Sequence, residues 1–170
     1  MNEFKILQLL TNNPILSILD HKSKLKFASK LTLKTFVKDQ LIIAKGDTTK
    51  DVFILEDGNA SVELTDTDNM LLLPGSLFGE MGSMLSCPRT ANIRAETECR
   101  VLQLEEEDFL LVLRRNRDLQ KQLLQQALEK AKDNSHRLSL KTPLQKIKTV
   151  KKRRDSVALW ADEAAPLAEG

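Results

Sequence analysis

The sequence contains few of the residues that build metal centres and disulfide frameworks. Among 170 residues there are two cysteines, two histidines, one tryptophan and no tyrosine. His21 and His136 lack the partners that a metal site needs, so we expect no metal. Cys87 and Cys99 match neither a metal-binding spacing nor a disulfide framework, and two free thiols favour a reducing compartment.

Long hydrophobic runs are also missing. Apolar stretches such as MLLL at 70–73 are far shorter than the roughly 20 residues that span a bilayer. The N-terminus, MNEFKILQLLTNNP, lacks a basic region and a small-residue cleavage site, so it does not read as a secretory signal. We therefore predict a cytoplasmic protein. Since no nucleophile–base pair or nucleotide-hydrolysing motif is present, we predict that it is not an enzyme, has no catalytic residues and needs no cofactor.

The charge is unevenly distributed, although the net value is only +2. Residues 141–155, KTPLQKIKTVKKRRD, carry seven basic residues and one acid, whereas residues 156–170 carry three acids and no base. The first 140 residues are therefore nearly neutral. The basic run could be a solvated segment, a nuclear import signal, a weak nucleic-acid contact or a membrane-surface tether. Within it, RRDSV resembles a basophilic kinase substrate, which makes Ser156 a candidate phosphorylation site.

Periodicity divides the chain into three parts. Residues 1–13 form a predicted N-terminal helix, and 14–31 show helical spacing that begins at a proline. From Thr32 the apolar residues recur with a period of two, which is typical of strands. Seven or so short strands broken by glycine turns predict an antiparallel β-roll or barrel. Helical spacing returns after Glu105. The predicted domain is thus 14–140, and the tail, 141–170, is expected to be disordered.

The last predicted helix, 118–138, carries a short apolar stripe. Its members follow alternating spacings of four and three residues: Leu124, Leu128, Ala131, Ser135 and Leu138. Coiled coils usually sustain such a pattern over three or four heptads. We therefore favour packing of this stripe on its own domain, while a homodimer through this helix stays open.

One loop combines an acid, a base and glycines. The stretch FGEMGSMLSCPRTA, residues 78–91, places Glu80 nine residues before Arg89. Glycine lets the backbone approach a ligand closely, and the arginine fork suits a phosphate. A carboxylate instead accepts hydrogen bonds from hydroxyl groups. Together these features favour a sugar phosphate with few charges, although an ordinary solvated ion pair is the alternative.

The motif FGE followed by PRTA resembles the phosphate-binding cassette of cyclic nucleotide-binding domains, a family that includes catabolite-activator-like regulators. The resemblance covers about residues 14–138. It implies an eight-stranded β-roll flanked by helices, an α+β fold that binds cAMP or cGMP. It also implies that Glu80, with the Gly79 backbone, binds the ribose 2′-hydroxyl. The cyclic phosphate would be held by Arg89 and by backbone amides around Met81, Gly82 and Thr90.

The implied function is that of a cyclic nucleotide sensor whose C-terminal helix moves and signals to a protein effector. The base would be covered by a residue of the helix after Asp118, which the sequence does not identify. Alternatives are a fragment of a kinase regulatory subunit or a channel, and a scaffold that has lost its ligand. A catabolite-activator-like transcription regulator is disfavoured because only about thirty residues follow Leu140.

Overall fold

The computed structural model describes residues 2–64 and 68–137, with side chains described as far as Asp133. The predicted tail and its Ser156 lie outside these residues, as does Leu138 of the predicted stripe. Two four-stranded antiparallel sheets form the centre of the fold. Helices that precede and follow the strands pack beside them, so the predicted α+β roll is confirmed.

Eight short strands form the two sheets. They are β1 Thr32–Phe36, β2 Leu41–Ile43, β3 Val52–Asp57, β4 Ala60–Glu63, β5 Asn69–Leu72, β6 Leu77–Phe78, β7 Asn92–Ala95 and β8 Cys99–Leu104. One sheet has the order β1-β8-β3-β6 and the other β2-β7-β4-β5. The short strand β6 had no predicted counterpart, because two residues are too few to show a period. It matters for function, since it leads directly into the FGE motif.

Within the described residues, six helical segments accompany the roll. They are α1 Glu3–Asn12, a 3₁₀ turn Leu16–Ile18, α2 His21–Ser29, α3 Glu80–Leu85, α4 Glu106–Arg115 and α5 Arg117–Arg137. The prediction of continuous helical structure over 14–31 is wrong. Leu19 adopts an extended conformation, with φ −63° and ψ 136°. Asp20 then begins a new helix, because its side chain accepts a hydrogen bond from the Ser23 amide at 2.6 Å.

A glycine turn fixes the link between the two sheets. Gly58, between β3 and β4, has φ +88°, and a Cβ atom there would lie 2.2 Å from the Glu98 carbonyl oxygen. No other residue fits without moving that backbone. The turn therefore explains why Asp57-Gly58 separates two buried strands.

The core has two parts, one between the sheets and one between the sheets and the helices. Helix α5 belongs to the second part through Leu119, Leu123 and Ala127, which are fully buried. The described members of the predicted stripe, Leu124, Leu128 and Ala131, are partly buried against the same core. This confirms that α5 packs on its own domain, although a neighbouring row of residues is buried more deeply. Within residues 2–64 and 68–137, no helix is long and apolar enough to cross a membrane.

Candidate functional site

The FGE motif is a sharp turn between β6 and α3. Gly79 caps α3 in the left-handed conformation, with φ +80°. A Cβ atom at Gly79 would lie 3.0 Å from Nη1 of Arg89 and 3.1 Å from both the Asp51 carbonyl oxygen and the Phe53 ring. Glycine is thus required twice, by the backbone conformation and by the close approach of the arginine.

Arg89 is buried against this turn, although it carries a charge. Its side chain donates hydrogen bonds from Nη1 to the Gly79 carbonyl at 2.7 Å and from Nη2 to the Asp51 carbonyl at 2.8 Å. The guanidinium also lies 5.8 Å from the centre of the Phe53 ring, a cation–π contact. The residue is only 5% exposed. Arg89 is therefore held in one position before any ligand contact is considered.

One buried donor of Arg89 has no partner. The Nε atom is buried and makes no hydrogen bond with the described residues. A guanidinium carries five N–H donors, and the contacts described above use two of them. A buried donor without a partner is costly, so the site has the capacity to bind an additional acceptor.

The electrostatics of Arg89 reflect its burial. Burial lowers the pKa of the Arg89 guanidinium, while the negative charges of Asp47, Asp51 and Glu80 oppose this shift. Arginine nevertheless stays protonated in proteins. The site therefore presents a fixed, partly desolvated positive charge, which attracts an anion more strongly than an exposed arginine would.

Asp51 connects Arg89 to the start of α4. While its backbone carbonyl accepts from Arg89, its carboxylate accepts hydrogen bonds from the Gln103 side chain at 2.6 Å and from the Glu106 amide at 3.2 Å. Glu106 is the first residue of α4. One residue thus connects the loop arginine, strand β8 and the first turn of the C-terminal helices.

Glu80, the first residue of α3, contacts α5. It is 3% exposed, and its Oε1 atom lies 2.5 Å from Nζ of Lys130. Lys130 is half-buried, with 43% of its side chain exposed. The predicted hydroxyl-binding carboxylate is therefore already paired with a charge from a helix that lies 50 residues further along the chain.

The structure brings the remaining predicted residues into the same loop. Met81 is partly buried against the helical core, and its carbonyl lies 3.9 Å from the Cys87 thiol. Gly82 is buried, and a Cβ atom there would lie 3.3 Å from Nη1 of Arg89. Thr90 is half-buried directly after the arginine. All six predicted residues thus lie in α3, in the turn before it or in the segment of Arg89 and Thr90.

Three residues of the site had no predicted role: Asp51, Phe53 and Lys130. Asp51 and Phe53 lie on or beside β3, whose alternating pattern predicted only a strand. Lys130 lies among other charges on α5, and no local pattern marks it. In the part of the chain that the structure describes, no group of three potential ligands could hold a metal ion.

Comparison with known proteins identifies the family. The sequence profile of the family described as "Cyclic nucleotide-binding domain" matches residues 33–116, from β1 to the end of α4. Residues 33–116 belong to the cyclic nucleotide-binding domain family. The matched range contains the whole FGE to PRTA loop, and the predicted family is confirmed.

The cyclic nucleotide-binding domain is similar to domains from channels and kinase regulators. It is 31% identical over 110 residues to the human potassium/sodium hyperpolarization-activated cyclic nucleotide-gated channel 1, covering 65% of this chain and 12% of the channel. It is 33% identical over 104 residues to the cAMP-dependent protein kinase regulatory subunit of Candida albicans, covering 61% of this chain and 23% of that protein. The chain thus matches only a small part of each relative.

A solved structure extends the similarity to the helices. The structure described as Sp-2Cl-cAMPS bound to PKAR CBD2 superposes with a TM-score of 0.68 at 28% identity. The match covers 84% of this chain and 98% of that one. The likeness therefore includes elements outside residues 33–116.

Proposed function

We propose that this domain binds a cyclic nucleotide in the loop around α3 and that this binding moves α5. The observation that carries the proposal is the state of Arg89, which is buried and fixed in place yet keeps a buried Nε donor without a partner. A single phosphate placed at this donor would satisfy it. The family to which residues 33–116 belong makes a cyclic phosphate the natural candidate.

The phosphate would be held by the arginine and by backbone donors. The first amides of a helix have no partner within the helix and point toward an anion. We assign this role to the amides of Met81 and Gly82, at the start of α3, together with that of Thr90. Because Gly82 has no side chain, the arginine can lie close to this backbone.

The sugar would be recognised by Glu80. A carboxylate has two oxygens and accepts several hydrogen bonds, so a ribose 2′-hydroxyl can bind beside the Lys130 contact at Oε1. A hydrogen bond to a charged group contributes about 1.5–3 kcal/mol. Glu80 would therefore select a nucleotide that keeps its 2′-hydroxyl.

Transmission would run through the contacts between the loop and the C-terminal helices. Lys130 ties α5 to Glu80, and Asp51 ties Arg89 to the start of α4. The helices α4 and α5 meet at a single residue, Asn116. A ligand shifts such an arrangement only by its differential affinity for two states, typically worth about 1–3 kcal/mol.

The proposal extends to the nucleotide and to the effector. The solved neighbour contains a cAMP analogue, which favours cAMP, whereas Thr90 is compatible with a contact to the guanine of cGMP. The relatives are channels and kinase regulatory subunits, so we expect a protein effector rather than DNA, and a cytoplasmic site of action. The relatives with these roles are longer proteins, so for this chain the roles are proposed.

Calorimetric titration of cAMP and cGMP tests the binding step. We expect saturable heat with at least one nucleotide. Arg89→Ala removes the partner of a buried anion and should cost about 2–5 kcal/mol, or about thirty- to several-thousandfold in affinity. Lys34→Ala is the control, since Lys34 is an exposed cation on β1, outside the loop.

A second binding test uses the unmodified protein, so its result does not depend on whether an Arg89 variant folds. The 2′-deoxy analogue of the preferred nucleotide should bind the unmodified protein about ten- to 150-fold more weakly. In Glu80→Gln this difference should shrink, because the charged acceptor is gone. No heat with either nucleotide at millimolar concentration would reject the proposal and favour a scaffold that has lost its ligand.

A further inference from the structure

A cleft on another part of the surface carries a concentration of positive charge. It lies between α2 and the end of α4, has a volume of about 220 Å³ and is lined by Lys22, Ser23, Lys26, Val112, Arg115 and Asn116. None of its lining residues belongs to the α3 loop. Three of the six are cationic and none is acidic, so the cleft is suited to an anionic ligand.

The cations of this cleft are available for binding. Among the described residues, Lys22, Lys26 and Arg115 have no carboxylate within ion-pair distance, whereas Lys30, the C-cap of α2, pairs with Asp108 at 3.2 Å. Asp20 is the acid nearest in sequence, and its carboxylate already caps α2. Asp20 also interacts electrostatically with Lys22, so Lys26 and Arg115 are the cations of the cleft for which the described residues provide no acidic partner.

The cleft also has an apolar side. Val112 contributes to its wall. Leu25 lies one turn from Lys22 on α2, on the same face of the helix, and is 36% exposed. A partner that combines acidic and apolar residues would match this surface better than a free inorganic anion would.

Such a segment occurs in the chain itself. Residues 156–170, SVALWADEAAPLAEG, contain three acids and no lysine or arginine. Within it, Leu159 and Trp160 are followed, after Ala161, by Asp162 and Glu163. This order of apolar and acidic residues is complementary to the cleft.

The connection is long enough for this contact. Helix α5 has 21 residues and is therefore about 30 Å long. It begins beside the cleft, at the residue after Asn116, and ends at Arg137. The 23 residues from Arg137 to Trp160 can extend over about 75 Å, more than twice the distance needed to return.

We propose that residues 156–170 bind in this cleft, with Asp162 and Glu163 facing the three cations and Trp160 against the apolar wall. Because the cleft includes Asn116, a bound segment would bridge α2 and the junction of α4 and α5. It would thereby oppose any rotation of α5 about that junction. This inference stands on the cleft and the sequence, and it does not depend on nucleotide binding.

Trp160 provides the probe, since it is the only tryptophan and the chain has no tyrosine. Acrylamide quenching of its fluorescence should be weaker in the full chain than in a synthetic peptide of residues 156–170. The double variant Lys22→Glu with Lys26→Glu should raise the quenching toward that of the peptide. An exposed ion pair is worth up to about 1 kcal/mol, so two reversals should lower the docked-to-free ratio by about two- to thirtyfold.

Two controls make the test specific. Lys34→Glu with Lys38→Glu makes the same change in net charge at exposed lysines of β1 and the following turn, and it should leave the quenching unchanged. Asp162→Asn with Glu163→Gln, which changes none of the residues that the structure describes, should raise the quenching as the cleft variant does. The quenching should also be independent of protein concentration, as expected for contact within one chain.

Three results would overturn the proposal. Quenching of Trp160 in the full chain as strong as in the peptide would mean that it is not bound. The two lysine double variants could have equal effects, which would indicate a response to net charge alone. A concentration dependence would assign the contact to a second copy rather than to the same chain.

Discussion

The contact between Lys130 and Glu80 should contribute measurably to stability. Lys130→Met keeps most of the aliphatic stem and removes the ammonium group, so Glu80 stays buried without its partner. Removing one member of a fully buried pair costs about 3–5 kcal/mol. Solvent reaches Lys130, whose side chain is 43% exposed, and this screening reduces the expected loss to about 1–2 kcal/mol.

Thermal unfolding followed by circular dichroism measures this loss. For a domain of this size, 1 kcal/mol corresponds to about 4 °C, so Lys130→Met should lower the melting temperature by about 4–8 °C. Lys121→Met is the matched control, because Lys121 is an exposed lysine on the same helix. It should change the melting temperature little, since surface substitutions usually stay within about 0.5 kcal/mol.

A double-mutant cycle isolates the pair itself. Glu80→Gln removes the negative charge and keeps the shape of the side chain. If the pair is energetically coupled, Lys130→Met should cost much less in the Glu80→Gln background than in the unmodified protein. Independent sites add within about 0.3–0.5 kcal/mol. Additivity within that range, together with equal melting of the Lys130 and Lys121 variants, would refute the assigned contact.

Three further predictions concern the loop and the sheets. In urea titration, Gly79→Ala should destabilise the protein more than Gly46→Ala does. Both glycines have φ near +80 to +90°, but of the two only Gly79 would place a Cβ atom against close neighbours. Equal losses of stability would contradict the close approach of Arg89. Hydrogen bonds from Arg94 and Asn92 lower the pKa of Glu63, so Glu63→Gln should be less stable than the unmodified protein at pH 7. The difference in stability should shrink below about pH 4.3 as Glu63 protonates. A difference that does not depend on pH would contradict the stabilising role of the Glu63 charge. Burial raises the pKa of the Cys99 thiol, whereas Cys87 is only half-buried. A thiol reagent should therefore modify Cys87 quickly and Cys99 only when the protein unfolds. Cys87→Ser should remove the fast phase of the modification.

The α3 loop could be predicted from the sequence because its requirements are local. Gly79 adopts a positive φ that glycine accepts readily, and Arg89 follows Glu80 at a fixed distance along one loop. These constraints act within twelve residues, so they leave a recognisable motif. The strands were predicted for the same reason, apart from β6, whose two residues show no period.

Features that depend on tertiary contacts could not be predicted in this way. Helix α5 carries leucines in adjacent rows, and only packing against the core selects the row of Leu119 and Leu123 as the buried one. Lys130 pairs with a residue 50 positions earlier, and nothing near it in sequence distinguishes it from Lys132. The break before α2 left a weak signal in Asp20, a residue type that commonly caps helices, but the apolar spacing continued through it.

The two links between the loop and the C-terminal helices are unequal, which bears on how the proposed sensor would work. At the start of α4, a backbone amide donates to Asp51, whose carboxylate also accepts from Gln103. In the C-terminal half of α5, half-exposed Lys130 makes one ion pair with Glu80. The second link is open to solvent and to salt, so it is the weaker of the two. A partner that competes for α5 would therefore separate its C-terminal part first, while α4 stays attached beside Arg89. A ribose hydroxyl at Glu80 would act at the link that breaks first, and nucleotide binding would control α5 mainly from that end.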